Sequence, residues 1–239
     1  MSGTRTIAND LTGGSAARKL LLFSWPIMAS NLLQTIYGLV DMDLTMSSTK
    51  TMGVGFKSPE VAASMGRMTP QALSTQLVLI TYMMNHMSEF DPTTPFDSFF
   101  QLQAKHNNEP VGGLETMRFQ TDVLYRGYPM ARQAQLLECF VDNYDFQVQM
   151  LEKVTAAFKA QDLNALKKAS DEKIGNQCDN TPEEDAALVG NRNRAWAAKL
   201  PAIMRSAPTF FAVGSLHLPG NDGLLQLLRN QGYTVEGVK

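Results

Sequence analysis

The chain has 239 residues, of which 44% are hydrophobic and 18% are charged, and its formal net charge is -2. This balance is typical of a globular protein with one main domain and excludes a largely disordered chain. Lysines and arginines never form a run longer than two residues, so a surface that binds the phosphates of nucleic acid is not expected.

The two cysteines, Cys139 and Cys178, lie far apart in the sequence and form no C-x-x-C pair. No histidine stands near them at zinc-finger spacing, so the sequence predicts neither a disulfide framework nor a structural zinc site. Cys139 falls on the apolar face of a predicted helix, where we expect it to be a core residue rather than a reactive thiol.

Residues 20–40 form an apolar segment without a charged side chain, long enough for the roughly 20 residues of a membrane-spanning helix. Basic residues precede the segment, which favours a cytoplasmic N-terminus and an extracytoplasmic main domain. No small-residue cleavage site follows it, so we expect an uncleaved anchor that associates with the membrane. Pro26, Asn31 and Gln34 weaken the span, and a buried amphipathic helix remains the alternative.

The same region begins with Asp10-Leu11-Thr12-Gly13-Gly14-Ser15 and continues through Trp25-Pro26-Ile27-Met28 to Asp41. It resembles the opening of multidrug and toxic compound extrusion transporters over residues 9–42 and then stops. Such transporters need many further apolar spans, and none follows here, so we expect no transporter function. We interpret residues 1–42 as a separate transporter-like segment and the polar residues 43–68 as a linker.

Residues 69–239 are predicted to form the main domain, with a middle part rich in helices. Thr69-Pro70 and Thr181-Pro182 each place a capping threonine before a first-turn proline, and Glu184 completes a capping box at the second site. His86 lies off the apolar face of the first of these helices, and we expect it to be solvated. His106 ends a second short helix among polar residues, which indicates a surface position.

Three apolar segments, at residues 110–115, 210–214 and 233–235, are predicted as short strands, which indicates an α/β fold with flanking helices. Glu115 lies at the carboxyl end of the first strand and His217 just past that of the second, and in open α/β sheets such carboxyl ends are where ligands bind. A histidine that only hydrogen-bonds a neighbouring loop remains the alternative for His217.

Arg192 lies four residues from Leu188 and from Trp196, on the apolar stripe of the helix that the second capping box begins. A buried arginine without an anionic partner would destabilise the fold by about 3–5 kcal/mol, so we expect it to pair with Glu115. The alternative is that its side chain reaches solvent at the edge of the stripe.

Four motifs occur in a fixed order. They are Gly113-Leu114-Glu115-Thr116 with Gln120, Arg192-Asn193 with Trp196, Val213-Gly214-Ser215-Leu216-His217-Leu218-Pro219-Gly220, and Gly223-Leu224-Leu225 to Gly232-Tyr233-Thr234-Val235. In this order and spacing they resemble the TraB/GumN family, which is related to the Tiki metalloproteases and the pheromone-shutdown proteins, over residues 52–239. The resemblance implies a mixed α/β sheet and, as in the Tiki branch, a divalent-metal site for peptide-bond hydrolysis.

The resemblance also implies residue roles: His217 is a metal ligand, Glu115 is a metal ligand or general base, and Arg192 orients Glu115 or stabilises an oxyanion. The family has a further Gly-x-x-His motif near the start of its domain. The only other histidines of this chain are His86 and His106, so that motif has no counterpart here.

We therefore expect a domain at residues 69–239 that lacks the first strand and first motif of the family. The expected function is that of a metal-dependent hydrolase relative with an impaired site, which binds Mn, Co or Zn weakly and acts poorly or not at all on a peptide or protein substrate. The alternative is a non-catalytic, membrane-tethered binding or regulatory domain. The missing histidine separates the two, because such an enzyme needs it and a binding domain does not.

Overall fold

The computed structural model describes residues 68–89 and 96–237, and in these ranges the protein is built from helices. The α-helices are α1 (Pro70–His86), α2 (Phe96–His106), α3 (Met117–Arg126), α4 (Met130–Asp142), α5 (Tyr144–Lys159), α6 (Leu163–Ser170), α7 (Pro182–Asp185), α8 (Asn191–Ser206) and α9 (Leu224–Asn230). A π-helical turn, Ala186–Gly190, joins α7 to α8. Single 3₁₀ turns lie at Met87–Glu89 and Ser215–His217.

The predicted α/β fold with a mixed sheet is wrong, because the described ranges contain no β-strand. Residues 110–115, 210–214 and 233–235 are irregular there and form no strand ladder. A β-strand needs a neighbouring backbone to pair with, whereas an apolar stretch of sequence indicates only that its side chains are buried. Val213 is buried against side chains of α8 and α9, so the apolar pattern marked a core segment and not a strand.

Part of the predicted organisation lies outside the described residues. This applies to the apolar segment at residues 20–40 and to nearly all of the linker at residues 43–68. Among the helices that the structure describes, none combines the length and the apolar character that a membrane span requires.

Helix starts follow the local chemistry of the sequence. Thr69 accepts a hydrogen bond from the backbone N–H of Ala72 at the start of α1, at 3.3 Å. Thr181 and Glu184 form the predicted capping box at the start of α7. Thr116 caps α3, which places Glu115 in the bend directly before that helix.

The helices pack in two groups. In the first, α1 lies against α3, α4 and α5, and α5 pairs with α6. In the second, α9 packs on α8, and the 3₁₀ turn that ends in His217 contacts both α6 and the π-helical turn. The apolar core of this second group consists of Trp196, Ala197, Leu200, Val213, Leu218, Leu224 and Leu228. The turn with His217 is therefore held between two helical elements at the edge of that core.

A tight turn after His217 brings α9 back onto α8. Gly220 has a φ of 86°, which favours glycine. At Gly223 a Cβ atom would come within 2.3 Å of the Leu218 carbonyl oxygen, so this position also admits only glycine without a shift of the backbone.

Cys139 and Cys178 form a disulfide, so the prediction that the chain contains none is wrong. The bond joins α4 to the loop between α6 and α7, and the two Cα atoms are 5.4 Å apart. The cysteines are 39 residues apart in sequence, and their spacing alone does not reveal that the fold brings them together.

A second link holds the same loop. Arg132 of α4 donates two hydrogen bonds of 2.9 Å, from Nε and Nη2, to the carboxylate of Glu184. It also donates to the backbone carbonyls of Gln177 and Asp179. We call Arg132, Glu184 and these two carbonyls the loop clamp, since together they fix the loop to α4 and α7.

Candidate functional site

Three residues singled out in the sequence, Glu115, Arg192 and His217, lie in one cluster. Arg192 is the second residue of α8, and His217 ends the 3₁₀ turn. Lys199 holds the bend that contains Glu115, because its Nζ donates to the Leu114 carbonyl oxygen at 2.8 Å. The cluster is thus built from two helix starts and a turn, and not from the rim of a sheet.

The predicted pairing of Arg192 with Glu115 is confirmed. The guanidinium donates from Nε to Oε2 at 3.1 Å and from Nη2 to Oε1 at 2.6 Å. Its Nη1 donates to the Leu188 carbonyl oxygen at 3.0 Å. The two side chains are only 7% and 11% exposed, so Arg192 does not reach out to solvent. Such a bidentate pair fixes both the position and the orientation of the carboxylate.

Trp196 connects this ion pair to the histidine. Its Nε1 donates to Oε2 of Glu115 at 3.2 Å, and the Arg192 guanidinium carbon lies 4.9 Å from the centre of the indole ring. The centre of the same ring is 4.5 Å from that of the His217 imidazole. Glu115 therefore accepts three hydrogen bonds, and one face of the imidazole is covered by tryptophan.

Asn193 is a further member of the cluster, to which the sequence assigned no role. It is fully buried, and its Nδ2 donates to the backbone carbonyls of His217, at 3.2 Å, and Asp222, at 2.7 Å. Its Oδ1 lies 2.7 Å from Nδ1 of the His217 ring. The available signal was its spacing, because Asn193 shares the buried stripe of α8 with Trp196, Ala197 and Leu200 at the core positions of a helix.

The surroundings of His217 favour its neutral form. Burial, with a further contribution from the positive charge of Arg192, lowers the pKa of His217 from its usual range to about 3. A neutral imidazole has one N–H donor and one nitrogen with a lone pair. At neutral pH the cluster therefore contains one uncharged nitrogen base beside a fixed ion pair.

A model of the TraB/PrgY/gumN family matches residues 34–237. The chain belongs to this family. The match confirms the resemblance seen in the sequence, and it contains the whole cluster of Glu115, Asn193, Arg192, Trp196 and His217. No curated protein and no solved structure matches the chain. The transporter resemblance of residues 9–42 stays a prediction.

The residues of this TraB/PrgY/gumN protein fit a divalent metal only in part. His217 offers a nitrogen, but the Glu115 carboxylate already accepts three hydrogen bonds, of the roughly four that its lone pairs allow. Within residues 68–89 and 96–237, no group of three or more His, Cys, Asp or Glu side chains is placed to hold a metal ion. A catalytic metal commonly has three protein ligands, so the described residues do not make a complete site.

The other two histidines lie elsewhere in this family member. His86 is not solvated as predicted, since its Nε2 lies 3.1 Å from both carboxylate oxygens of Glu152 and its ring stacks on Tyr82. His106 is exposed at the end of α2, as its helix-end position indicated. Among the described residues, neither of them forms with His217 a group of three or more side chains that could hold a metal ion.

Proposed function

We propose that this protein is a relative of metal-dependent peptide hydrolases whose site is incomplete. It binds Mn²⁺, Co²⁺ or Zn²⁺ weakly and hydrolyses peptides poorly or not at all. The observation that carries the proposal is the cluster of the Glu115–Arg192 ion pair and the neutral His217. The family resemblance assigns a divalent-metal site to these residue types, and here they lie within contact of one tryptophan.

The proposed roles follow from the contacts of each side chain. Among the described residues of the cluster, His217 supplies a neutral ligand nitrogen. Arg192 orients Glu115, and its positive charge beside the site disfavours a second cation there. Glu115 binds a metal only by sharing a carboxylate that already accepts three hydrogen bonds, which lowers its value as a ligand. Weak binding and weak catalysis are therefore the expected combination.

The test is a calorimetric titration of the purified, metal-free full chain with Mn²⁺, Co²⁺ and Zn²⁺, followed by a peptide-cleavage assay with each metal. We expect weak binding that His217→Ala abolishes. The matched control is His106→Ala, which removes an exposed imidazole outside the cluster and leaves binding unchanged.

Two results would contradict the proposal. Tight binding together with cleavage, both lost in His217→Ala, would show a complete site. Equal metal affinity of the unmodified chain and His217→Ala would show that His217 is not a ligand.

A non-catalytic binding or regulatory domain is the second candidate, and one observation favours it. Three hydrogen bonds occupy most of the acceptor capacity of the Glu115 carboxylate, so its ion pair with Arg192 can serve only to stabilise the fold. A domain that keeps its fold without catalysis needs no more than this. The same assays separate the candidates. A folded chain without metal-dependent cleavage and without any His217-dependent metal binding supports the binding domain.

We also propose that residues 20–40 associate with a membrane and that the described domain lies outside the cytoplasm. The disulfide between Cys139 and Cys178 supports this location, because disulfides persist mainly in oxidising compartments. Thiol labelling of the protein in its native cells provides the test. We expect both cysteines to react only after a reductant is added, and labelling without reductant would argue for a reducing compartment.

A further inference from the structure

The contacts of Asn193 determine which way its amide group faces. Two backbone carbonyl oxygens, those of His217 and Asp222, lie on one side of the amide at hydrogen-bond distance. A carbonyl oxygen can only accept, so the NH₂ group of Asn193 must face both of them. The side-chain oxygen Oδ1 consequently faces the imidazole ring of His217.

The orientation of Asn193 decides in turn where the imidazole carries its proton. Oδ1 lies 2.7 Å from Nδ1 of His217 and has no hydrogen to donate. Nδ1 must therefore be the donor of this hydrogen bond. In a neutral ring the lone pair then belongs to Nε2, and no hydrogen bond to Nε2 occurs among the residues that the structure describes.

We infer that Asn193 is a positioning residue, which holds His217 in the tautomer with the proton on Nδ1 and directs the Nε2 lone pair to a ligand. The inference rests on the proposed function only for the nature of that ligand, a divalent transition metal. The arrangement matches a general feature of metal-binding histidines, whose second ring nitrogen donates to a carbonyl or carboxylate oxygen.

The surroundings of Asn193 suit this task. It is fully buried, so water does not compete for its amide, and α8 holds it one residue after Arg192. Its second carbonyl partner, on Asp222, belongs to the tight turn that follows His217. Asn193 thus ties both ends of the segment from His217 to Asp222 to one rigid helix, and a ring with a fixed tautomer also has a fixed direction for its lone pair.

The tautomer can be read directly from the ¹⁵N chemical shifts of the imidazole ring. The sample is the uniformly ¹⁵N-labelled full chain at pH 7 with a chelator, and the His217 signals are assigned by their loss in His217→Gln. We expect a protonated-type Nδ1 and an unprotonated-type Nε2, with the Nδ1–H form in roughly tenfold excess, as one buried hydrogen bond allows. A predominantly protonated Nε2 would overturn the inference.

Two variants test whether the Asn193 side chain, rather than the other residues around His217, determines the tautomer. Asn193→Asp keeps an oxygen opposite Nδ1, so the Nδ1 proton is retained although the two bonds to backbone carbonyls are lost. Asn193→Leu removes the acceptor, and the tenfold excess should disappear. An unchanged tautomer ratio in a folded Asn193→Leu protein would show that Asn193 does not set it. If that variant does not fold, the unmodified chain and Asn193→Asp decide.

A zinc titration of the same samples separates this inference from the proposed function. Zn²⁺ should shift the Nε2 signal of the unmodified chain and shift it less at equal concentration in Asn193→Leu. If the tautomer is as inferred and Zn²⁺ leaves Nε2 unaffected, the metal function fails while the role of Asn193 stands. An equal Zn²⁺ response of both proteins would contradict the positioning role.

Discussion

The described residues include two arginine–glutamate pairs with the same hydrogen-bond pattern, and the two pairs have different neighbours. In the loop clamp, Arg132 holds Glu184 through Nε and Nη2, and in the site cluster Arg192 holds Glu115 through the same two nitrogens. In the clamp, Arg132 also donates to two loop carbonyls, and Glu184 also takes part in the capping box with Thr181. The other hydrogen bonds of the clamp therefore stabilise local structure. The site pair instead lies against Trp196, beside a neutral histidine.

This difference shows what a buried ion pair does and does not indicate. Both pairs give a partner to charges that are buried or partly buried, so neither is by itself a sign of function. The site cluster differs from the clamp because it contains His217. Nδ1 of its ring is hydrogen-bonded to Asn193, whereas Nε2 makes no hydrogen bond with the described residues. The feature that indicates function is therefore the Nε2 nitrogen without a hydrogen bond, and not the arginine–glutamate pair.

The largest expected effect comes from the removal of Arg192, and the removal of Arg132 provides the comparison. Arg192→Met leaves Glu115 buried with only the Trp196 hydrogen bond, and we expect it to lower the free energy of unfolding by about 3–5 kcal/mol. Arg132→Met should lower it less, by about 2–3 kcal/mol, because Glu184 is more exposed and keeps its hydrogen bond to the Thr181 backbone. Urea denaturation measures both, and a larger loss for Arg132→Met would reverse the comparison.

An effect smaller than that of Arg192→Met is expected from the disulfide, which supports the clamp side alone. The double variant Cys139→Ser with Cys178→Ser should lower the free energy of unfolding by about 2–4 kcal/mol. The ring ¹⁵N signals of His217 should stay unchanged, because the disulfide joins α4 to the loop and does not touch the site cluster. A changed His217 signal would show that the two regions are coupled.

The smallest effect is a pH dependence that belongs to the site. The pKa of His217 is about 3 in the folded protein and about 6.5 when unfolded, so between these values the unfolded state binds one more proton. Stability should therefore fall as the pH decreases from about 6.5, by up to roughly tenfold in the unfolding equilibrium constant per pH unit.

Urea titrations of the unmodified chain and of His217→Gln from pH 7 to pH 4.5, with a chelator, test this dependence. We expect the unmodified chain to lose more stability than His217→Gln over this range. Contributions that both proteins share, including the lowered pKa of Glu184 beside Arg132, cancel in the difference. Parallel pH curves would mean that His217 titrates normally in the folded protein.

The sequence predicted what local chemistry controls. The caps at Thr69 and Thr181 follow from side chains within one helical turn. The Arg192–Glu115 pair follows from the general need of a buried charge for a partner. These predictions needed no knowledge of which distant backbones lie side by side.

The remaining features depend on long-range arrangement. The apolar run at residues 210–214 correctly indicates burial, but it does not say whether helices or strands cover it, and here helices α8 and α9 do. The disulfide and the contact of Trp196 with His217 join segments that only the fold brings together. Asn193 was the one such residue with a local signal, a polar side chain on a core stripe.

The π-helical turn Ala186–Gly190 determines how the loop clamp is rotated around the helix axis relative to the site cluster. The clamp residue Glu184 and the site residue Arg192 lie on either side of it, on one continuous helical rod from Pro182 to Ser206. Such a turn accommodates one residue more than an α-helical turn, and one residue corresponds to about 100° of rotation. Deleting a single residue there would turn Glu184 about a quarter of a revolution around the rod relative to Arg192. The clamp and the site could then no longer both be satisfied, so the length of this turn is part of what keeps His217 in place.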